Sequence, residues 1–361
     1  MKYAKCEEDL SAGLAALYKS CGFKRYKPGC FEEYSFYQDN KDFLIGKNVI
    51  TFSDLAGKLM AMRPDVTLSL IRHKDVEPDT TEKFYYDEKV YRQASGGKNF
   101  KEISQTGVEV VGVIDEAVEA EQTFLICKTL AAVDEDYVLE ISHMGFTEGL
   151  LSEFSDDRAA LSTCLQSKNA HDFINIANKR GYSDKLKNAF IATLNCQGDA
   201  VSALKTARSA ALNEQMNCAV DELEKLFSVI ENLGFDDKVR INFSASANAE
   251  YYNGIIFNGY LGGIPHCVLS GGRYDKLLRK YGKAGGAIGF ALYIGEIERY
   301  LKKDDECVDY LVVYDDKTYA DALAFMKKTT GGGQSVRLSG SVPKGVSYNK
   351  VIDLTKGDKY D

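Results

Sequence analysis

Apolar residues recur at helical spacing near the beginning of the chain. Leu10, Leu14, Leu17 and Cys21 are three or four residues apart, and this spacing places their side chains on one face of an α-helix. Gly22 follows at the position where a glycine commonly ends a helix. The pattern predicts an opening amphipathic helix that ends near residue 21.

Segments typical of strands dominate the next part of the chain. Residues 84–92 (FYYDEKVYR), 108–114 (VEVVGVI) and 137–143 (YVLEISH) are rich in β-branched and aromatic residues, which favour strands. The first two segments flank a glycine-containing polar stretch, so we predict two long strands joined by a wide hairpin loop. Helices are predicted to begin near Asp65, a favourable N-cap residue, and to cover residues 116–133.

The order of these elements predicts the fold class. Strands and helices do not alternate with βαβ regularity, which favours an α+β fold with a mixed, mainly antiparallel sheet flanked by helices. Residues from about 147 to 233 are rich in Ala, Asn, Ser and Lys and show no strand pattern, which predicts a helical insertion. Strand patterns resume at 239–244 and 254–261.

The last sixty or so residues differ from the rest of the chain. The charged segment KKDDE after Tyr300 is typical of a linker, and YLVVY, a helical segment, GGGQSVRL and KVIDL follow it. This order predicts a small C-terminal β-α-β remnant. The domains predicted are therefore residues 1–300 and, as linker and small α/β segment, residues 301–361.

Composition excludes several classes of protein. The 361 residues are 45% hydrophobic and 27% charged, near the averages of globular proteins, which excludes a wholly disordered or coiled-coil chain. No apolar run is long enough for a membrane-spanning helix, and the N-terminus MKYAKCEEDLSAGL lacks the apolar core of a secretion signal. We therefore expect no contact with a membrane.

The spacing of the cysteines and the net charge limit the kinds of site and partner that we expect. The nine cysteines form no CxxC pair and no histidine lies at zinc-ligand spacing, which predicts reduced thiols in the cytoplasm, no metal site and no cofactor. The net charge of −8 gives no overall attraction to a polyanion, so nucleic acid is not expected as a partner.

Polar and aromatic residues cluster at four places: 62–67 (MRPDVT), 90–112 (VYRQ with QTGVEVVG), 249–254 (AEYYNG) and 270–275 (SGGRYD). Together they supply two carboxylates, an amide and several tyrosines, which suit the ammonium group of a small molecule such as an amino acid. In the second cluster Gln105 and Glu109 are four residues apart on one predicted strand. Their side chains therefore face the same side and can share a pocket.

Three of the charged residues also have purely structural interpretations. Asp65 alone suits a helix cap, and Glu109 alone suits a solvated position on a strand. Arg273 suits a structural salt bridge as well as it suits a ligand contact. The residues by themselves leave these alternatives open.

The aromatic and glycine pairs are open to the same doubt. Tyr251 and Tyr252 point to opposite faces if they lie on a strand, so at most one of them lines a given pocket. Gly271 and Gly272 suit a tight turn.

The four clusters, in this order and spacing, resemble the catalytic domain of class II aminoacyl-tRNA synthetases, and specifically histidyl-tRNA synthetase. The resemblance covers about residues 1–300. VYRQ with QTGVEVVG is similar to motif 2, GAIGFALYIGEIERY to motif 3, and AEYYNGIIF and SGGRYDKL to the histidine-specific signatures. MRPDVT resembles the family pattern (L/M)RP(E/D)xT. The resemblance implies a class II synthetase-like fold.

The same resemblance implies a pocket for free histidine. Asp65, Gln105 and Glu109 match the positions that hold the ammonium group, and Thr67 matches an adjacent polar contact. Tyr252 and Tyr274 match positions near the imidazole. Arg92 matches the motif 2 arginine.

The apparatus for activating histidine is not matched. The motif 2 acid falls on Ala94, the loop arginine at or beside Asn99, the arginine before the paired tyrosines on Ala247, and the motif 3 arginine on Glu296, with Arg299 as a shifted substitute. Cations at such positions offset the charge of ATP and of the reacting phosphate. The sequence therefore predicts that adenylate formation is lost and that the chain has no catalytic residues.

A synthetase-like chain that keeps the amino-acid pocket and lacks these cations is similar to the regulatory subunits of ATP phosphoribosyltransferase. That family implies a cytoplasmic, synthetase-like dimer that joins short-form catalytic subunits in a hetero-octamer. The regulatory subunit is required there for activity in histidine biosynthesis and for feedback inhibition by histidine.

Two alternatives stay open. One is a divergent or truncated histidyl-tRNA synthetase in which Arg299 replaces the motif 3 arginine. The other is a synthetase-like binding module that serves another enzyme or an RNA.

Overall fold

The structure is a computed structural model, and it describes residues 7–40, 44, 48–77, 79–93, 99–244, 251–297, 307–343 and 346–357. The chain divides into two compact units, Met1–Glu298 and Arg299–Asp361. Within the described ranges no helix is both long and apolar enough to cross a membrane.

Thirteen α-helices are found in the described residues. In chain order they are α1 Glu7–Ser20, α2 Tyr34–Gln38, α3 Val66–His73, α4 Glu116–Val133, α5 Met144–Ser152, α6 Arg158–Gln166, α7 Ala170–Arg180, α8 Asp184–Leu194, α9 Ala200–Ala210, α10 Glu214–Asn232, α11 Asp275–Lys280, α12 Ile294–Ile297 and α13 Tyr319–Gly331.

The same residues contain fifteen strands. They are β1 Lys24–Arg25, β2 Phe31–Glu33, β3 Thr51–Ser53, β4 Leu59–Met62, β5 Thr81–Gln93, β6 Phe100–Gly112, β7 Tyr137–His143, β8 Gln197–Asp199, β9 Val239–Asn242, β10 Ile255–Leu261, β11 Leu269–Arg273, β12 Gly286–Tyr293, β13 Cys307–Val313, β14 Val336–Ser339 and β15 Ser347–Asp353.

A nine-stranded sheet forms the first unit, in the order β1-β5-β6-β12-β11-β10-β7-β9-β8. Its pairs are antiparallel except for β1 with β5 and β7 with β9, as the α+β prediction requires. Strands β5 and β6 are thirteen residues each, so β5 ends later and β6 begins earlier in the sequence than predicted. Fewer residues therefore connect them than the wide loop expected from the sequence.

Alternate residues of β5 face two different layers of helices. The ring of Tyr85 lies 6.2 Å from that of Tyr18 on α1, and the Tyr18 hydroxyl is hydrogen-bonded to Thr129 on α4 at 2.9 Å. On the opposite face Tyr86 belongs to the buried cluster that contains Leu68 of α3. Helices α1 and α4 therefore cover one face of the sheet, and α3 covers part of the other.

Helix α3 is anchored at both ends. Its N-cap is Asp65, whose carboxylate accepts the backbone N–H of Leu68 at 2.9 Å, so the predicted helix start is correct. At the other end, Lys283 donates from Nζ to the carbonyls of Ile71 at 2.5 Å and Lys74 at 2.9 Å. A lysine there satisfies carbonyls that the helix leaves unpaired and complements the helix dipole.

The insertion consists mainly of helices, α5 to α10. It is held by an aromatic core in which the rings of Phe173 and Phe190 stack at 3.9 Å. The expectation that it contains no strand is wrong, because β8 pairs antiparallel with β9 and forms the edge of the large sheet. Strand β8 was not predicted because its three residues are too few to show an alternation of polar and apolar side chains.

A second, three-stranded sheet has the order β2-β4-β3, which the mixed aromatic and polar sequence there did not predict. In the second unit, β13 lies between β14 and β15 in a parallel sheet. Its core is a small apolar cluster shared by the sheet, α13 and the residue after β15: Val312, Ala322, Phe325, Ile352 and Leu354.

Candidate functional site

A cavity of about 380 Å³, its open mouth included, lies on the sheet face that α3 partly covers. The side chains and backbone of strands, α3 and loops line it: Asp65, Val66, Thr67, Tyr86, Arg92, Gln105, Glu109, Tyr251, Tyr252, Ser270, Gly271, Tyr274, Gly289, Phe290, Ala291 and Tyr293.

Small residues on the sheet create the floor of the cavity. Gly289 pairs with Glu109 on β6 and with Gly272 on β11. A Cβ atom at Gly289 would lie 1.9 Å from a carboxylate oxygen of Glu109, and one at Gly272 would lie 2.8 Å from the ring of Tyr252. Both functional side chains therefore lie where only glycine leaves room for them.

Glu109 is the most enclosed charged group of the site, with 2% of its surface exposed. Thr67 donates a hydrogen bond to its Oε1 at 2.5 Å, and the Tyr274 hydroxyl donates to Oε2. Burial, assisted by the nearby charge of Asp65, raises the pKa of Glu109 to about 8 despite these donors. The alternative of a solvated strand residue is wrong.

Asp65 lies in the same cavity beside Arg92. One oxygen caps α3, and the other accepts Nη2 of Arg92 at 3.1 Å. Arg92 also donates from Nε to the carbonyl of Pro64 at 2.6 Å. Its Nη1 has no hydrogen bond with any residue that the structure describes, so this nitrogen can still bind a ligand. Asp65 is thus both the helix cap and a wall of the pocket.

Gln105 and Glu109 lie on the same face of β6, as their spacing predicts. Four residues of strand separate their Cα atoms by about 13 Å, and both side chains line the cavity. Both are 2% exposed. Across the strand pair, Gln105 is opposite Tyr293 of β12.

The paired tyrosines do not point to opposite faces of a strand. Tyr251 and Tyr252 precede β10 in an irregular segment, and both line the cavity. Their ring centroids are 4.8 Å apart, and Tyr251 lies 5.5 Å from the ring of Tyr274. Strand alternation does not apply outside a strand, so the expectation that at most one of them lines the pocket is wrong.

The SGGRYD segment has a different conformation from the one expected. Gly271 and Gly272 lie within β11 rather than in a tight turn. Arg273 does not line the cavity; it forms ion pairs with Glu119 at 3.0 Å and Asp275 at 2.9 Å. The structural interpretation of Arg273 is the correct one.

All seven residues predicted for the site line this single cavity: Asp65, Thr67, Arg92, Gln105, Glu109, Tyr252 and Tyr274. The sequence reasoning missed Tyr86, Tyr251, Ser270 and Tyr293. The alternation of side chains along a strand indicates two of them. Tyr86 is six residues from Arg92, and Tyr293 is four residues from Gly289, so each pair lies on the same face of its strand.

Among the lining residues that are described, Arg92 is the one lysine or arginine. Glu296, at the motif 3 arginine position, is exposed outside the cavity with its Oε2 2.6 Å from Nε2 of His266. Ala94, Ala247 and Arg299 lie outside the described residues, and Asn99 is exposed without lining the cavity. No cluster of His, Cys, Asp and Glu suitable for a metal ion is found in the part of the chain that is described.

Comparisons with known proteins agree with this architecture. The family model described as histidyl-tRNA synthetase matches residues 2–297. A curated relative from Bacillus thuringiensis (strain Al Hakam), named ATP phosphoribosyltransferase regulatory subunit, is 24% identical over 346 residues, which cover 92% of this chain and 82% of the relative.

Two solved structures share the fold. One, described as an ATP phosphoribosyltransferase regulatory subunit/histidyl-tRNA synthetase from Bacillus halodurans C, has a TM-score of 0.81 at 23% identity and covers 96% of this chain and 93% of its own. The other belongs to the ATP phosphoribosyl transferase (HisG:HisZ) complex from Thermotoga maritima, with a TM-score of 0.65 at 19% identity and coverage of 81% and 98%. These likenesses confirm the predicted fold class.

Proposed function

This chain belongs to the histidyl-tRNA synthetase family, and we propose that it is a non-catalytic regulatory subunit of ATP phosphoribosyltransferase that binds free histidine. The curated relative that covers 92% of the chain carries the name of that subunit. Family membership alone does not distinguish this role from that of a synthetase. The distinction depends on the charged groups in the cavity.

The observation that carries the proposal is the charge balance inside the cavity. Two buried carboxylates, Asp65 and Glu109, lie in a space with a single described cation, Arg92, which is itself paired with Asp65. Because Asp65 already neutralises Arg92, the described lining offers no unpaired positive charge to a nucleotide triphosphate, whereas a ligand cation favours the ionised form of Glu109 and can pair with it. The cavity therefore suits a free amino acid and not the activation of one by ATP.

The placement of the polar groups supports histidine in particular. Asp65 and Gln105 can receive the ammonium group, and the free Nη1 of Arg92 can receive the carboxylate. Glu109 lies in the same cavity, held by the hydroxyls of Thr67 and Tyr274, and can pair with a cationic group of the ligand.

The partner follows from the same family resemblance. The Thermotoga maritima structure is a complex of two kinds of subunit, which supports a short-form catalytic subunit as the partner of this chain. We propose that the chain forms a synthetase-like dimer in the cytoplasm and joins that subunit in a hetero-octamer. Feedback then requires histidine to bind one quaternary arrangement better than another, by about 1–3 kcal/mol.

Reconstitution tests this function. The purified chain is mixed with a short-form catalytic subunit, and formation of phosphoribosyl-ATP is measured with and without histidine. We expect activity only in the mixture and inhibition by histidine, with Glu109→Gln as the matched variant that still activates but responds to histidine only at much higher concentration. Activity that is independent of this chain would contradict the proposal.

A working histidyl-tRNA synthetase is the second candidate, since the family model carries that name. It predicts histidine-dependent exchange of pyrophosphate into ATP by the purified chain. We expect no exchange above background, because Arg92 alone does not offset the triphosphate charge. Exchange that depends on both histidine and Asp65 would establish the synthetase instead.

A further inference from the structure

Two tyrosines of the cavity are each followed in the sequence by a polar residue that does not line it. Tyr252 precedes Asn253, and Tyr274 precedes Asp275. Both tyrosines belong to the lining, whereas the two polar residues are partly buried outside it. A ligand in the cavity therefore contacts the tyrosines and not the polar residues that follow them.

The side chains of Asn253 and Asp275 are hydrogen-bonded to each other. Nδ2 of Asn253 donates to Oδ2 of Asp275 at 3.1 Å, and the backbone N–H of Asn253 donates to the carbonyl of Arg273 at 3.0 Å. Oδ1 of Asn253 accepts the backbone N–H of Lys276 at 3.4 Å. These hydrogen bonds attach the irregular segment that contains Asn253 to the residues on either side of Tyr274.

The carboxylate of Asp275 is itself fixed to the large sheet. Its Oδ1 accepts the backbone N–H of Ala287 on β12 at 3.0 Å, and its Oδ2 also accepts Nε of Arg273 at 2.9 Å. A Cβ atom at Gly286 would lie 2.6 Å from Oδ1, so the strand approaches the carboxylate this closely because it has a glycine there. Asp275 is therefore a firm point of attachment for Asn253.

The attached segment carries two of the rings that surround Glu109. Tyr251 and Tyr252 precede the first residue of β10, so strand pairing does not fix their backbone. The ring of Tyr251 lies 4.8 Å from that of Tyr252 and 5.5 Å from that of Tyr274. The hydroxyl of Tyr274 donates to Glu109. A shift of the segment would therefore change the packing of all three rings beside this carboxyl group.

We propose that Asn253 and Asp275 are positioning residues. Their hydrogen bond holds the segment of Tyr252 against Tyr274 and thereby sets the affinity of the cavity for histidine. The inference rests on the proposed function, since it takes histidine as the ligand. It assigns part of the binding affinity to two side chains that the ligand does not contact.

An exchange of the two side chains tests the pair. Asn253→Asp places a second carboxylate against Asp275 and breaks the hydrogen bond. The affinity for histidine, measured by isothermal titration calorimetry on the full chain, should fall about 10-fold. The double variant Asn253→Asp/Asp275→Asn again places an amide against a carboxylate and keeps one negative charge beside Arg273. Its affinity should return to within about 3-fold of the wild-type value.

Asn242 offers a matched control in the same unit. Its Nδ2 donates to Oε2 of Glu140 at 3.0 Å, and neither residue lines the cavity. Asn242→Asp therefore creates the same contact between like charges. Urea unfolding should show a loss of stability in both single variants, whereas the affinity for histidine should fall in Asn253→Asp alone. If Asn253 had a purely structural role, neither variant would lose affinity.

Asn253→Ala keeps the test decisive if Asn253→Asp does not fold, which circular dichroism shows. It removes both side-chain hydrogen bonds without adding a charge, and the affinity should fall about 5-fold. An affinity unchanged in every folded variant of Asn253, or a double variant that binds as weakly as Asn253→Asp, would overturn the positioning role. A wild-type chain that binds no histidine would refute the proposed function itself, and the positioning role with it.

Discussion

Two carboxylate clusters lie in the same unit and differ in what neutralises them. Glu119 and Asp275 share the guanidinium of Arg273, at 3.0 and 2.9 Å. Glu109 is held by the hydroxyls of Thr67 and Tyr274, and no described lysine or arginine pairs with it.

Burial raises the pKa of both Glu119 and Glu109, but only for Glu119 does a guanidinium oppose the shift. The Arg273 cluster therefore carries its own counter-ion, whereas no described lysine or arginine pairs with Glu109, so a ligand cation can do so. The comparison teaches that a buried acid that the fold leaves without a counter-ion is a candidate for binding the cationic group of a ligand. The carboxylates alone, which both clusters possess, do not distinguish the two cases.

Removing the guanidinium is the change with the largest expected effect. Arg273→Met leaves Glu119 and Asp275 partly buried without their partner, so the free energy of unfolding should fall by about 3 kcal/mol. Urea unfolding followed by circular dichroism measures it. Arg158→Met, which removes an exposed ion pair with Glu148, is the control and should change stability by less than about 1 kcal/mol.

Neutralising the carboxylate of the other cluster should weaken ligand binding without lowering stability. Glu109→Gln keeps the shape and removes the charge that a ligand cation needs, so the affinity for histidine should fall about 100-fold. The unfolding free energy should rise at pH 7, because the unfolded wild-type chain gains free energy by losing the Glu109 proton and the Gln variant has no proton to lose. Calorimetric titration that gave an unchanged affinity would contradict the pocket.

The pH dependence of stability sharpens the contrast. The pKa of Glu109 is about 8 in the folded chain and 4.5 in its ordinary state, so the folded protein keeps a proton that the unfolded chain loses between these values. Its contribution to the free energy of unfolding therefore falls as pH rises, by at most about 1.4 kcal/mol per pH unit between pH 5 and 8.

Urea unfolding of the wild-type chain and of Glu109→Gln at several pH values isolates this contribution. The Gln variant should gain stability relative to the wild type from pH 5 to pH 8. A difference that stays constant over this range would show that Glu109 titrates normally.

The smallest expected effect comes from one hydroxyl. Thr67→Val keeps the shape of the side chain and removes the donor to Glu109 at 2.5 Å, so the carboxyl group becomes harder to ionise. The affinity for histidine should fall about 5-fold, which corresponds to about 1 kcal/mol. Ser69→Ala is the control, because Ser69 lies on the same helix but donates to Glu32 outside the cavity.

Local patterns predicted much of the fold and the site. The alternation of strand residues places Gln105 and Glu109 on one face, and Asp65 begins α3 as its N-cap; both conclusions need only the neighbouring sequence. The mainly antiparallel sheet follows from the order of elements in the same way. What failed depended on contacts between distant segments.

The errors illustrate this limit. Tyr251 and Tyr252 have the composition of strand residues, but β10 begins after them in the sequence. Tertiary packing places both rings in the cavity. The parity of Tyr293 with Gly289 indicates the face of the strand, but only the pairing of β12 with β6 opposite Gln105 places Tyr293 at the cavity. The pairing of Arg273 with Glu119, 154 residues away in the chain, is equally invisible to a local pattern.

The lysine at the far end of α3 has a mechanical consequence. Lys283, in the turn that leads into β12, donates to the last carbonyls of that helix, and Arg92 forms an ion pair with Asp65 at its N-terminus. Helix α3, which carries Thr67, is thus linked to the turn before the strand that carries Gly289 and Tyr293. We therefore expect ligand binding to displace α3 and β12 together.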